Sequence, residues 1–380
     1  MPRKRTKQPI RRTAAIATAS SDDSFLPSSL LIPAPNLDVA QIRAIVEAER
    51  QKAGTEAVLF GMRQGDRELL TVALGNSMTT VPATTDMHYR IGGITETFQT
   101  TLVMMLAEQG RLNLDDKISH WFPDLLSADQ VTIRMLLGNT AGYLDYAPDE
   151  AFGDALLSAP FRTFTDEELI DYAVRDGKMN YPPGTSQAYS HTEYVILGQV
   201  VQRATGPTMK ELYEENILGP QGFDDTQFPT DQNIQEPVLH AYSNDRKIVE
   251  DSTYWNPSWA SATGALTSNL HDLGRWGPMF GQGRLVSPAS FAEMTGPTSV
   301  GKGNNRPDAY FAYGFAVTNG WYVQNPNMNG YSGAFAYNPT HGITLVVEAT
   351  KNANPAIDPA GIHILREVIK YVTPASPLAF

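Results

Sequence analysis

The chain contains no cysteine. Disulfides, thiolate catalysis and cysteine-ligated zinc or iron–sulfur centres are therefore excluded. Histidines are few, seven in all, and none falls in a metal-ligand spacing such as HExxH, so no metal site is expected. Long apolar runs are missing as well. No stretch approaches the ~18 residues that a transmembrane helix needs, and none is expected. Positive charge is scarce: 29 Lys and Arg stand against 41 Asp and Glu, for a net charge of -12. An acidic body does not suit a broad phosphate-binding surface, so nucleic acid is not an expected partner. "GKGN" at 301–304 lacks the context of a phosphate-binding loop and reads as a surface loop.

What remains is an ordinary globular composition. Hydrophobic residues make up 42% and charged residues 18% of 380, enough for a sizeable core. The charge is unevenly spread. Arg3, Lys4, Arg5, Lys7, Arg11 and Arg12 precede any acid, and "TAAIATAS" follows them. That apolar stretch is short and weak for a secretory signal, although Ala17 and Ala19 resemble a cleavage site. Residues 1–36 are read as a disordered basic tail and linker. A cytoplasmic location is favoured, with a weak export or transit-like signal as the alternative.

From about Leu37 to Ala53 the apolar residues Val39, Ile42, Ile45 and Val46 share one helical face. "AVLFGMRQG" and "LLTVALGNS" read as a hairpin, and "MHYRIGG" as a third extended segment. A helix follows from about Thr95 to Gln109, with Phe98, Leu102, Met105 and Leu106 on one buried face. The stretch 111–299 is mostly helical and loop-rich. "YFAYGFAVT", "GWYVQ", "GAFAYNP" and "GITLVVEAT" return to strands, and "GIHILREVIKYV" closes the chain as a helix. Strands at both ends imply one antiparallel sheet with the helical block inserted. The expected fold class is α+β. The expected domain is 37–374, its sheet part about 37–110 and 300–374 and its helical part about 111–299. A small-molecule ligand is expected in the cleft between the two parts.

Six ordered segments carry a resemblance: "YRIGGITETFQTTLVMMLAEQGRLNLDDKISHWFPD", "VTIRMLLGNTAGYLDY", "YPPGTSQAYSHTEYVILGQVVQRATG", "LGPQGFDDTQFP", "SWASATGALTSNLHDLGRW" and "NGYSGAFAYNP". Over about residues 37–374 the chain resembles the serine β-lactamase and penicillin-binding protein superfamily. Within it, the likeness is to the branch of class C β-lactamases, D-alanyl-D-alanine carboxypeptidases, D-aminopeptidases and esterases. The resemblance implies a β-lactamase/transpeptidase-like fold and a Ser-x-x-Lys motif at the start of the first core helix. The matching positions here are Gly93 and Glu96, a residue with no side chain and one of reversed charge. The second motif, Tyr-x-Asn, aligns with Tyr189-Ser190-His191, and the third with Tyr331-Ser332-Gly333. Asn139 stands where the family carries a loop histidine. Thr95 and Thr97 adjoin the site, but Thr95 would face about 200° from Gly93 and Thr97 lies a turn deeper.

The resemblance with these replacements implies Glu96, Tyr189 and His191 as candidate catalytic groups. Gly93, Asn139, Trp255, Tyr331 and Gly333 are candidate substrate contacts, with Trp255 and its neighbours Tyr254 and Trp259 as an aromatic wall. In the expected chemistry Glu96 removes a proton, Tyr189 donates one, and backbone amides near Gly93 hold an anion. Elimination, isomerisation, cyclisation or water-mediated hydrolysis of a small carbonyl-containing metabolite would suit such groups, with no cofactor. Two alternatives stand beside this. One is a catalytically dead module that binds a ligand, or a protein partner at the cleft. The other is an esterase or peptidase with a displaced nucleophile.

Overall fold

The structure, a computed structural model, describes residue 32, residues 34–350 and residues 359–379. Most of the expected basic tail lies outside the described residues. Helix α1 (Val39–Ala53) begins where Asp38 accepts the amides of Ala40 and Gln41, and ends at the left-handed Gly54. Its buried residues Ile42 and Val46 are four apart, one face against the sheet. Strands β1 (Ala57–Gln64) and β2 (Arg67–Met78) form the expected hairpin, and the short β3 (Val81–Pro82) pairs with β2. The segment "MHYRIGG" contributes only β4 (Tyr89–Arg90), which stays outside the main sheet.

Helix α2 (Ile94–Glu108) runs through the middle of the molecule. A single buried face was expected of it, yet every residue from Ile94 to Met104 is buried. It packs against the sheet side and the helical block at once, so its polar residues need internal partners. Thr97 donates to the Ile94 carbonyl and accepts from Trp276 Nε1 at 2.8 Å, and Gln99 donates to the Tyr194 carbonyl at 3.0 Å.

The inserted block holds α3 (Ile133–Leu137), α4 (Glu150–Ser158), α5 (Asp166–Val174), α6 (His191–Thr205), α7 (Met209–Tyr213) and α8 (Gly219–Gln221). The hairpin β5 (Tyr242–Ser243) and β6 (Glu250–Asp251) follows, then α9 (Ser261–Gly264) and β7 (Thr267–Ser268), the partner of β4. Next come α10 (Leu270–Gly281) and α11 (Pro288–Thr295). Although α10 falls inside the range read as the helical part, it lies on the sheet against β1 and the last strands.

The C-terminal strands are β8 (Ala309–Phe311), β9 (Ala316–Thr318), β10 (Trp321–Gln324), β11 (Asn327–Met328), β12 (Tyr331–Asn338) and β13 (Ile343–Thr350). The nine-stranded sheet runs β3-β2-β1-β13-β12-β10-β9-β8, with β11 also on β12, and all pairs are antiparallel. The single run "YFAYGFAVT" is broken into β8 and β9 at Gly314, whose φ of +81° a larger residue would resist. Helix α12 (Ala360–Val372) joins α1 on one face of the sheet, over Val58, Phe60, Leu345 and Val347. The opposite face, with Leu59, Phe335 and Val346, belongs to the core around α2 and α10. This is the expected α+β arrangement, an antiparallel sheet flanked by helices.

Candidate active site

The N-terminus of α2 opens into a cleft of about 410 Å³ between β10–β11, α9 and the loop before α6. Gly93 is the N-cap of α2 and offers no capping side chain. Gly92 before it has φ of +47° and lies against Pro326, so the chain passes close under the β10–β11 turn. The amides of Ile94, Thr95 and Glu96 are already spent on the carbonyls of Ile91, Gly92 and Gly93. Among the amides from Gly93 to Glu96, the Gly93 N–H is the one with no acceptor among the described residues, so of these four it is the one left to hold an anion.

One turn into α2, Glu96 is fully buried. Its Oε1 accepts from the Tyr189 hydroxyl and its Oε2 from Gln324 Nε2 at 3.1 Å. Burial pushes the Glu96 carboxyl well above the ordinary carboxylate range, against the pull of these two hydrogen bonds. Tyr189 exposes 40% of its surface in the cleft, yet its hydroxyl is turned inward. Burial, and then the neighbouring Glu96 charge, raises that phenol too. The expected geometry is therefore revised. Glu96 does not face the cleft itself, and the Tyr189 proton points to Glu96 rather than to a ligand.

His191 starts α6 and lines the cleft beside Tyr189, with ring centroids 4.8 Å apart and the rings edge to face. Its Nδ1 lies 3.0 Å from the Asp145 carboxylate, which fixes the ring and places the proton on that nitrogen. Phe311 extends the aromatic wall at 5.9 Å from Tyr189. Trp259 also lines the cleft.

Four of the expected contacts sit elsewhere. Asn139 is fully buried, and its Oδ1 accepts the Ser190 amide at 2.6 Å while its carbonyl accepts the Tyr181 hydroxyl. It shapes the loop that carries Tyr189 and does not reach the cleft. Trp255 is buried in the core, and Trp259, four residues on, takes the wall position. Tyr331 and Gly333 lie on β12, one strand inward from the cleft edge. The Tyr331 hydroxyl is spent on the Leu239 carbonyl at 2.5 Å. Gly333 leaves room beneath the turn: a Cβ there would stand 2.7 Å from Glu348 Oε2 and 2.9 Å from Pro326 Cγ. The strand beside Gly93 is β10, so the segment that faces it is Gln324-Asn325-Pro326.

Asp145, Gln324 and Phe311 were thus not singled out as catalytic or binding groups, whereas Trp259 lines the cleft as the expected aromatic wall required. Counting back one hairpin from "GAFAYNP" would have reached Gln324. Thr95 and Thr97 are fully buried; Thr95 accepts the Leu266 amide, and Thr97 is held as described above. Asp225, His271 and Asp272 bring carboxylate and imidazole atoms within 4.8 Å of one another. Asp272 is already bonded to Thr226 and the Asp225 amide, and Asp225 to His88 and Gln235.

The family model described as Beta-lactamase matches residues 42–369. The chain belongs to that family. Penicillin-binding protein 4* of Bacillus subtilis (strain 168) is 25% identical over 263 residues, 66% of this chain and 55% of that protein. A putative D-alanyl-D-alanine carboxypeptidase of Escherichia coli (strain K12) is 23% identical over 329 residues, covering 73% and 72%. The matches span 55% and 42% of the lengths of the penicillin-binding proteins from Bacillus subtilis and Amycolatopsis lactamdurans, about half of each. Among solved structures, a D-stereospecific amidohydrolase from Streptomyces sp. superimposes with a TM-score of 0.77 at 26% identity, covering 89% of this chain and 99% of that one. The octameric penicillin-binding protein homologue from Pyrococcus abyssi gives 0.75 at 21% identity, covering 90% and 80%, a likeness of fold alone. No helix among the described residues of this β-lactamase-family chain is long and apolar enough to cross a membrane.

Proposed function

We propose that this member of the β-lactamase family is a non-covalent acid–base enzyme acting on a small carbonyl-containing metabolite. On this reading Gly93 stands where the family's acyl-accepting serine sits, and Glu96 where its lysine sits. The observation that carries the reading is the hydrogen bond from Tyr189, exposed in the cleft, to the buried Glu96. As the phenol oxygen takes a proton from substrate, its own proton passes to Glu96 Oε1. The carbonyl oxygen, now negative, is held at the Gly93 N–H. Return of the proton from the relay to a different atom completes an isomerisation or elimination. A raised Glu96 pKa suits a group that must hold the proton it takes.

The test compares wild type, Tyr189→Phe and Glu96→Gln against a small-molecule extract by mass spectrometry. A metabolite consumed by wild type and slowed about 10²-fold or more by either substitution is expected. Equal consumption by all three proteins sinks the relay. An active-serine probe should leave wild type unlabelled, since the Thr95 and Thr97 hydroxyls are buried in structural bonds.

A second reading has its own support. Both Glu96 oxygens are occupied, by Tyr189 and Gln324, which is also the resting state of a cleft that only binds. Saturable ligand binding with no turnover of any metabolite in the extract would select it.

A further inference from the structure

The polarity of the cleft is set by where its protons already go. Tyr189 donates its only hydrogen to Glu96, so its oxygen keeps lone pairs to accept with and no further proton to offer. Gln324 spends both N–H bonds on acceptors, Glu96 Oε2 at 3.1 Å and the Gly314 carbonyl at 2.6 Å. With two acceptors on one side, the amide orientation is fixed and Oε1 is left free. That oxygen points at Gly93, 3.0 Å from where a Cβ would stand. His191 directs Nδ1 to the Asp145 carboxylate at 3.0 Å, which fixes its ring at the cleft wall. Two acceptors, Tyr189 Oη and Gln324 Oε1, therefore belong to residues that border one cleft.

Their surroundings favour positive charge. The rings of Tyr189 and Phe311 stand edge to face at 5.9 Å, Trp259 adds a third, and aromatic faces attract cations. Behind the first layer stand the carboxyls of Glu96 and Asp145. Among the described residues that line the cleft, none is Lys or Arg.

We infer that the ligand of this cleft is a small organic ammonium compound, a protonated amine on an apolar or aromatic body, and that carboxylates are rejected. The inference deepens the proposed site and names the charge of its ligand. An ammonium offers three donors and no acceptor, the complement of Tyr189 Oη and Gln324 Oε1. A carboxylate would bring four lone-pair sites to those same acceptors, with the Gly93 N–H and the neutral amides of Asn325 and Asn327 as its donors and no Lys or Arg among the lining residues.

Isothermal titration with a matched pair tests this: phenethylamine and 3-phenylpropionate, similar in shape and opposite in charge. At neutral pH the amine should bind about tenfold or more tightly than the acid, the worth of a charge-assisted hydrogen bond. Tyr189→Phe and Gln324→Met, each first checked for wild-type thermal unfolding, should weaken the amine by a similar factor. Equal or tighter binding of 3-phenylpropionate overturns the inference. So does absence of amine binding, or amine binding that neither substitution weakens, since the acidic surface would then be the site. The readout is independent of turnover. If the amine binds but no metabolite is consumed, the proposed catalysis fails alone. If an amine-free metabolite is consumed and phenethylamine does not bind, the charge assignment fails alone.

Discussion

Glu348 shows what one misplaced charge does to this core. It is fully buried on β13, and neither carboxyl oxygen has a hydrogen-bond partner among the described residues. Burial raises its pKa well above the usual 4.5, and the nearby Ser332 amide offsets only part of this. A carboxyl whose pKa rises on folding stabilises the fold fully below about 4.5, and that stability is lost as pH climbs through the folded-state value. The same sign holds for Glu96. Thermal stability should therefore fall from about pH 5 upward. Glu348→Met should flatten that fall and raise stability at neutral pH by about 1–4 kcal/mol, as when buried ionic groups give way to apolar ones. Melting scans of both proteins between pH 5 and 9 check it; a lower melting temperature for the variant at pH 8 refutes it. Asn139→Ala should act oppositely. The Ser190 amide would lose its acceptor, at a cost of about 1–3 kcal/mol read by urea unfolding. At this scale motif offsets along the chain led to Glu96, Tyr189 and His191, three side chains that the fold makes neighbours. They did not lead to Gln324, because its role arises from a strand laid beside Gly93, and no local pattern encodes that pairing.

At the scale of elements, α10 sits close on the sheet because it carries glycine where it crosses β13. A Cβ at Gly277 would stand 2.1 Å from Thr344 Oγ1, and Thr344 is a stiff, buried β-branched residue. Gly153 in α4 has nothing within 4 Å. Alanine improves helix propensity at both positions by about 1 kcal/mol. At Gly153 that gain stands alone, so Gly153→Ala should stabilise. At Gly277 overpacking of about 1–3 kcal/mol or more opposes it and wins. Opposite shifts of the urea midpoint are expected; a stabilised Gly277→Ala would mean that α10 is free to move off the sheet. Helices α1 and α12 were readable because their apolar spacing is regular and one-sided. Helix α2 was misread as one-sided, since threonine and glutamine look solvent-facing until Tyr194 and Trp276 supply their partners. The split of β8 from β9 turns on Gly314, whose contact with α2 is tertiary.

For the whole molecule, the inference that both chain ends build one sheet follows from strand-like runs flanking a helical block, and the topology bears this out. The placement of α10 escaped it, because periodicity reports that a helix is amphipathic and not which surface it covers. One consequence concerns the C-terminus. Ile362, Ile364, Leu365, Val368, Ile369 and Val372 of α12 fill the core on one sheet face. A chain ending at residue 358 should fail to give a cooperative unfolding transition by circular dichroism, because β12 and β13 would expose that face. A truncated protein that melts like the full chain would show that α12 is dispensable.

The pairing of β1 with β13 also sets a schedule for biosynthesis. Gln64 meets Ile343 across the centre of the sheet, roughly 280 residues later in the chain, so a ribosome delivers the two partners tens of seconds apart. Throughout that interval the newborn β1–β2 hairpin presents an open, apolar edge to the cytosol or to whatever holds it. The chain is committed to waiting: β1 stays without its β13 partner until nearly all of the protein has been made.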